Sequence, residues 1–201
     1  ISNEHHSSID GFSAEITVLN TVGKTVYNEV VPMEIHKNKS LKILDLPDFS
    51  HVGEMYFLDL RLNGLEDNSS ITNFYWLSTK DDVLDYDNSE WFITRNSAYA
   101  DLTGINHLKN VEIIATHRFS EDEDKVWVDV TLENQTDTPV FFIELSLKHP
   151  ETGLSVLPVF WEDNYISLLP GEKRFISAYV YKKDCGNKQP VFDFTGWNVR
   201  K

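Results

Sequence analysis

The chain has 201 residues, of which 41 % are apolar, 25 % charged and 12 % aromatic; this is the make-up of an ordinary globular protein with enough apolar surface for a sizeable core. Its 32 acidic residues outnumber 18 basic ones, for a formal net charge of −14, so no nucleic-acid partner and no anionic membrane partner is expected, because both need a basic footprint. The single cysteine, Cys185, excludes an internal disulfide and a thiolate zinc site, and no apolar run reaches the roughly 18 residues of a transmembrane helix.

Period-two patterns dominate. Phe12, Ala14, Ile16 and Val18 share one face of a first strand. Asn20 to Gly23 reads as a turn, and Thr25 to Val31 as the next strand. Leu41 to Leu46 follows and stops at Pro47. Met55 to Leu62 is the strongest strand, ended by the turn dipeptide Asn63-Gly64; Ile71 to Leu77 closes the set. Residues 81–98 then break the rhythm: they are turn-rich, carry a net charge of −4, and read as an acidic linker with the hydrophobic anchors Val83, Leu84, Trp91 and Phe92. Trp76 and Trp91 are expected to weld the flanking sandwiches together. Asp101 to Leu108 reads as a short turn or helical piece.

The second half resumes strands over Val111–Phe119, Val126–Leu132, Phe141–Lys148, Arg174–Tyr181 and Val191–Phe194. Trp127 alternates with valines and is placed on the opposite face, toward the other domain. Trp197 is expected to plug the core at the last strand. Pro170-Gly171 fits the two central positions of a type II turn. No stretch keeps a 3.6-residue apolar period. Consecutive antiparallel strands without crossover helices mean an all-β protein, and two tandem immunoglobulin-like β-sandwiches fit the length: a first sandwich over 1–80, the acidic linker over 81–98 and a second sandwich over 99–201. A chain beginning at Ile1 is expected to be a piece of something longer.

Carboxylates are numerous, but a retaining glycosidase needs two of them about 5–5.5 Å apart, one with a raised pKa. The run Glu121-Asp122-Glu123-Asp124 reads as a solvated hairpin tip. Only Glu162 and Asp163 lie among aromatics, and they are not expected to be catalytic. Asp81-Asp82 with Asp85, Asp87 and Asn88 offers spaced oxygens for calcium, yet the register from Asp82 puts Asp87 and Ile93 where an EF-hand needs Gly and Glu. The seven histidines are scattered, no nucleophile elbow occurs, and neither a metal nor a cofactor is expected. Trp161 and Tyr165 flank Glu162-Asp163-Asn164. One reading is a loop that contacts sugar or a neighbouring domain, with ring faces stacking on a pyranose. The other is a packed corner, with Trp161 buried and Asp163 and Asn164 holding a turn. The sequons Asn38-Lys39-Ser40, Asn68-Ser69-Ser70 and Asn134-Gln135-Thr136 fall at turns.

The segment Leu157-Pro158-Val159-Phe160-Trp161-Glu162-Asp163-Asn164-Tyr165-Ile166-Ser167-Leu168-Leu169-Pro170-Gly171-Glu172 resembles one in the last immunoglobulin-like domain of exo-β-D-glucosaminidases and β-mannosidase-like enzymes of glycoside hydrolase family 2. Tyr99-Ala100-Asp101-Leu102-Thr103-Gly104-Ile105-Asn106 is similar to the entry to that domain. So are Val130–Asn134, Phe141–Leu147 and the closing Gly196-Trp197-Asn198-Val199, while Asn73–Ser78 resembles the end of the preceding sandwich. The resemblance implies that the parent is a periplasmic or secreted glycoside hydrolase acting on O-glycosyl bonds. It implies that this chain is its non-catalytic C-terminal accessory region, with the catalytic barrel of the same polypeptide as partner. Trp161, Glu162, Asp163, Asn164 and Tyr165 would then contact the barrel or, as a carbohydrate-binding module, an oligosaccharide. No catalytic residue is carried over, because no position matches the barrel motifs.

Overall fold

A computed structural model describes residues 1–4, 6–64 and 70–200. The chain forms two compact units, Ile1–His107 and Leu108–Lys201. Among the described residues, regular structure is antiparallel strand with two short 3₁₀ turns.

The first unit runs through β1 (Ser2–Asn3), β2 (Ile9–Asn20), β3 (Thr25–Ile35), β4 (Lys39–Ser40), β5 (Met55–Asn63), β6 (Ile71–Ser78), β7 (Val83–Leu84) and β8 (Asn96–Ala98). Its main sheet has the order β3-β2-β5-β6, and β1 pairs with β4. The predicted alternation is realised on β2 and β5: Ala14, Ile16, Val18 and Leu58 form a cluster on one face with Phe49. Leu41–Leu46, expected as a strand, has no regular structure. Instead Ile43, Leu44 and Val52 pack as irregular chain over that face of the sheet. Burial of apolar side chains does not require a ladder, and Pro47 limits pairing there. On the opposite face Leu19 lies across from Phe57, whose ring meets Phe74 at 5.3 Å. There the buried Asp59 carboxylate accepts a 2.6 Å bond from Arg61 Nε.

The division between units falls at 107/108, later than the patterning suggested, because the chain after β6 is pinned back onto the first unit. Thr79 N donates to Glu54 O at 2.9 Å, and Asp101 N donates to Ser78 Oγ at 3.0 Å. Gly104 sits so close to Met55 that an added Cβ would lie 2.8 Å from its Cγ. Asp101 Oδ1 accepts from both the amide (3.0 Å) and the hydroxyl (2.7 Å) of Thr103 and so starts the 3₁₀ turn Thr103–His107. Those two bonds, the hydroxyl first, hold the Asp101 carboxyl below its ordinary range. Residues 81–98 are a hairpin rather than open linker: β7 pairs with β8, and farther out Glu90 and Ile93 exchange backbone bonds of 2.9 and 2.8 Å. The buried weld expected of Trp91 is not there, since its side chain is 97 % exposed.

The second unit contains β9 (Ile114–Glu121), β10 (Lys125–Glu133), β11 (Val140–Lys148), β12 (Phe160–Trp161), β13 (Ile166–Leu168), β14 (Lys173–Tyr181) and β15 (Val191–Thr195). Its sheets have the orders β12-β14-β10-β9 and β13-β11-β15, the two layers of an immunoglobulin-like sandwich. One inner row comes from Val126, Val128, Val130 and Leu132 of β10 with Ile176, Ala178 and Val180 of β14; the other comes from Val140, Ile143, Leu145 and Leu147 of β11 with Ile166 and Leu168 of β13. Each such aliphatic side chain contributes roughly 1.5–3 kcal/mol on burial, so the two rows are the unit's main source of stability. Register shifts between Val140 and Ile143. Phe142 takes a φ of 56° at this bulge, which re-aims the following residues inward.

The core plug assigned to Trp197 is corrected. Its indole is 53 % exposed, and the next residue, Asn198, is the buried one at 1 %. Asn198 Oδ1 accepts from Phe141 N at 2.9 Å, while its Nδ2 donates to Pro139 O (2.9 Å) and Lys109 O (3.0 Å). One amide thus fastens the chain end to the unit's first residues and to the start of β11. Asn134, fully buried, works similarly across a turn: Nδ2 donates to Thr138 O and Leu169 O at 2.9 Å, and Oδ1 accepts from Thr136 N at 3.0 Å.

Candidate functional site

The segment Leu157–Glu172 contributes β12 to one sheet and β13 to the other, so it spans the edge of the sandwich. It closes on the predicted turn: Glu172 N donates to Leu169 O at 3.1 Å with Gly171 at φ 74°, and Glu172 Oε2 accepts from Leu169 N at 2.7 Å.

Between those strands the five singled-out residues separate. Trp161 faces inward and packs against the core. Glu162 stays exposed and lies along β14, its N donating to Ser177 O and its Oε2 accepting from Ser177 N, both at 3.0 Å. Asp163 Oδ2 accepts from Arg174 Nη2 at 3.0 Å. Asn164 reaches the other sheet and imitates a strand partner: Oδ1 accepts from Leu145 N at 2.7 Å and Nδ2 donates to Leu145 O at 3.0 Å. Tyr165, 52 % exposed and at φ 56°, rests its ring 5.3 Å from that of Phe142.

Trp161 is half-buried against the core, and Asn164 is bonded across to Leu145 of β11. Whereas Trp161 packs against the core cluster, the Tyr165 ring lies against Phe142 on the β11 bulge. Glu162 and Asp163 are exposed and engage different partners on β14, Ser177 and Arg174. In the acidic stretch 81–98, Asp82 Oδ1 accepts from Ala100 N (2.9 Å) and Asn96 Nδ2 (3.2 Å), and Asp85 accepts from Asn88 N (3.2 Å) and Nδ2 (2.8 Å). These oxygens shape the hairpin.

One cluster was not anticipated as a unit. On the outer face of the β12-β14-β10-β9 sheet, Phe160 stacks on Tyr179 at 4.8 Å and 14°, and Trp127 meets Tyr179 at 5.0 Å. Lys125 Nζ sits 4.4 Å from the Tyr179 ring centroid. Trp127 Nε1 donates to Asp122 Oδ2 at 2.8 Å, which holds that carboxyl below its ordinary range. The signal for this cluster is non-local. Trp127 pairs with Tyr179 on β14, and Tyr179 with Phe160 on β12, and only the register brings the three together. The Tyr179 ring thus has Phe160, Trp127 and Lys125 as neighbours within the protein, so the cluster carries its own cation.

A family model described as the exo-β-D-glucosaminidase Ig-fold domain matches residues 91–199. The chain belongs to this exo-β-D-glucosaminidase Ig-fold domain family. It is 30 % identical over 199 residues to an exo-β-D-glucosaminidase of Arthroderma benhamiae, covering 99 % of this chain and 22 % of that protein. It is 29 % identical to the exo-β-D-glucosaminidase of Amycolatopsis orientalis, covering 99 % and 20 %. The crystal structure of an Amycolatopsis orientalis exo-chitosanase superposes with a TM-score of 0.89 at 28 % identity, over 98 % of this chain and 24 % of that one. The chain therefore spans about a fifth to a quarter of the length of these relatives. In the relatives, glycoside hydrolases, the Ig-fold domain shares its chain with the catalytic domain.

Proposed function

We propose that the chain is a non-catalytic C-terminal accessory region of a family 2 exo-β-D-glucosaminidase, packing on and supporting a catalytic barrel elsewhere in the same polypeptide. The observation that carries this reading is the match of nearly the whole chain to a fraction of full-length exo-β-D-glucosaminidases. It is supported by the separate anchoring of Glu162 on Ser177 and Asp163 on Arg174. The test uses an aryl β-D-glucosaminide. The 201-residue chain alone is expected to give no turnover above background. In the full-length parent, Glu162→Gln is expected to leave kcat within about 3-fold, less than 1 kcal/mol in barrier. Turnover by the chain alone that Glu162→Gln abolishes would overturn the assignment.

A further inference from the structure

The hairpin of residues 83–98 holds apolar side chains out of the first unit rather than in it. Its ladder begins at Val83↔Ala98, continues through a 2.8 Å bond from Asp85 N to Arg95 O, and ends with the Glu90/Ile93 backbone pair. Trp91 and Phe92 are the two residues at the turn, their rings 5.9 Å apart and edge-on. The frame is stiffened on the way: the Ser89 and Thr94 hydroxyls meet at 2.8 Å, and Asp85 caps Asn88. Yet Trp91 is 97 % and Phe92 82 % exposed, with Tyr86 and Tyr99 also open to solvent. Aromatic side chains of this kind offer some 150–250 Å² each, so the two tip rings alone bare about 300–400 Å², the size of the largest apolar patch on an ordinary monomer. The stretch 81–98 that carries them is acidic in sequence, with Asp81, Asp82, Asp85, Asp87 and Glu90 against the single cation Arg95, Asp82 standing at the base beside Ala100 and Asn96 and Glu90 next to the tip.

We infer that this tip is a docking plug: Trp91 and Phe92 seat in an apolar pocket with a basic rim on the part of the parent polypeptide outside this chain. The inference rests on the reading of the chain as one region of a larger glycosidase. The occupant follows from two observations. The chain covers only 22 % of one relative and 24 % of the solved relative, so a large covalently attached surface is always present at high effective concentration. The tip also presents two exposed, paired aromatics, the residue class enriched at interface cores and hot spots, on an acidic hairpin. The net acidity of the hairpin opposes the other occupants, because two copies of it repel and an anionic lipid surface repels it too.

The experiment is done on the full-length parent enzyme. Acrylamide quenching assigned to Trp91, as the difference between the parent and its Trp91→Phe form, is expected to show a shielded indole. Backbone amides of 83–98 are expected to exchange at least ~10-fold more slowly than after Trp91→Ala/Phe92→Ala, with exchange elsewhere in the two units unchanged. A Trp91 quenched as freely as in the urea-unfolded parent overturns the plug. So does shielding that appears only on adding glucosamine oligomers, only on adding phosphatidylserine vesicles, or only at concentrations where the parent dimerises. A parent with a shielded tip that hydrolyses no aryl β-D-glucosaminide keeps the plug and sinks the proposed function. An active parent with a solvent-open tip does the reverse.

Discussion

Replacing Asn198 by alanine removes a buried amide whose three strong bonds all end on backbone groups: Phe141 N, Pro139 O and Lys109 O, at 2.9, 2.9 and 3.0 Å. Alanine leaves one donor and two acceptors without that partner. Each buried group so stranded costs about 1–3 kcal/mol, and water entering the vacated space recovers part of it, so the net loss is about 3–6 kcal/mol. That is a large share of the roughly 5–15 kcal/mol by which a domain is stable. For a unit of this size each kcal/mol moves the melting temperature by about 4–8 °C, so a fall of at least ~12 °C is expected for the transition of the second unit. The assay is thermal unfolding by circular dichroism or calorimetry at pH 7. Asn198→Asp should be worse than alanine there: it keeps an acceptor for Phe141 N but turns a carboxylate oxygen toward two carbonyls. Trp197→Phe, at the half-exposed neighbour, should be mild. An Asn198→Ala protein that melts within ~4 °C of the parent sequence would refute the claim that this amide fastens the sandwich.

Two further outcomes are expected. The Asp122 carboxyl is held low first by the Trp127 indole N–H and then by the amides of Lys125 and Asp124. Its contribution to stability is therefore present above the ordinary carboxylate range and is lost as the pH falls through the depressed folded value. The melting temperatures of wild type and Asp122→Ala should differ at pH 7 and converge in acid, and a gap that widens on acidification would contradict this. Asn134 forms a sequon, but it is 0 % exposed and both ends of its amide are bonded to backbone. In a glycosylating host, mass spectrometry of the folded secreted protein should find Asn134 unmodified and a glycan on the exposed turn residue Asn38; a glycan on Asn134 in folded protein would refute the wiring.

What the amino-acid order alone determined is the all-β class and the facing of the long central strands, though not the short strands or the irregular chain at 41–46. Val126, Val128, Val130 and Leu132 alternate with polar or aromatic residues, and a two-residue period sends one set to the core whatever the neighbouring strands do. The Pro170-Gly171 turn was equally legible, because only glycine takes the positive φ cheaply at that position. The family resemblance was also carried by local phrases. The tertiary structure decided the rest, wherever an outcome depended on residues distant in the chain. The division at 107/108 depends on Ser78 bonding Asp101 and on Gly104 lying against Met55, with Glu54 holding Thr79 just before. Whether Trp197 or Asn198 enters the core depends on backbone groups at 109, 139 and 141, which no local pattern displays. Glu162, Asp163 and Asn164, adjacent in sequence, part company because they bond to Ser177, Arg174 and Leu145. Periodicity reports which way a side chain points relative to its own strand; only the packed register reports what it meets there.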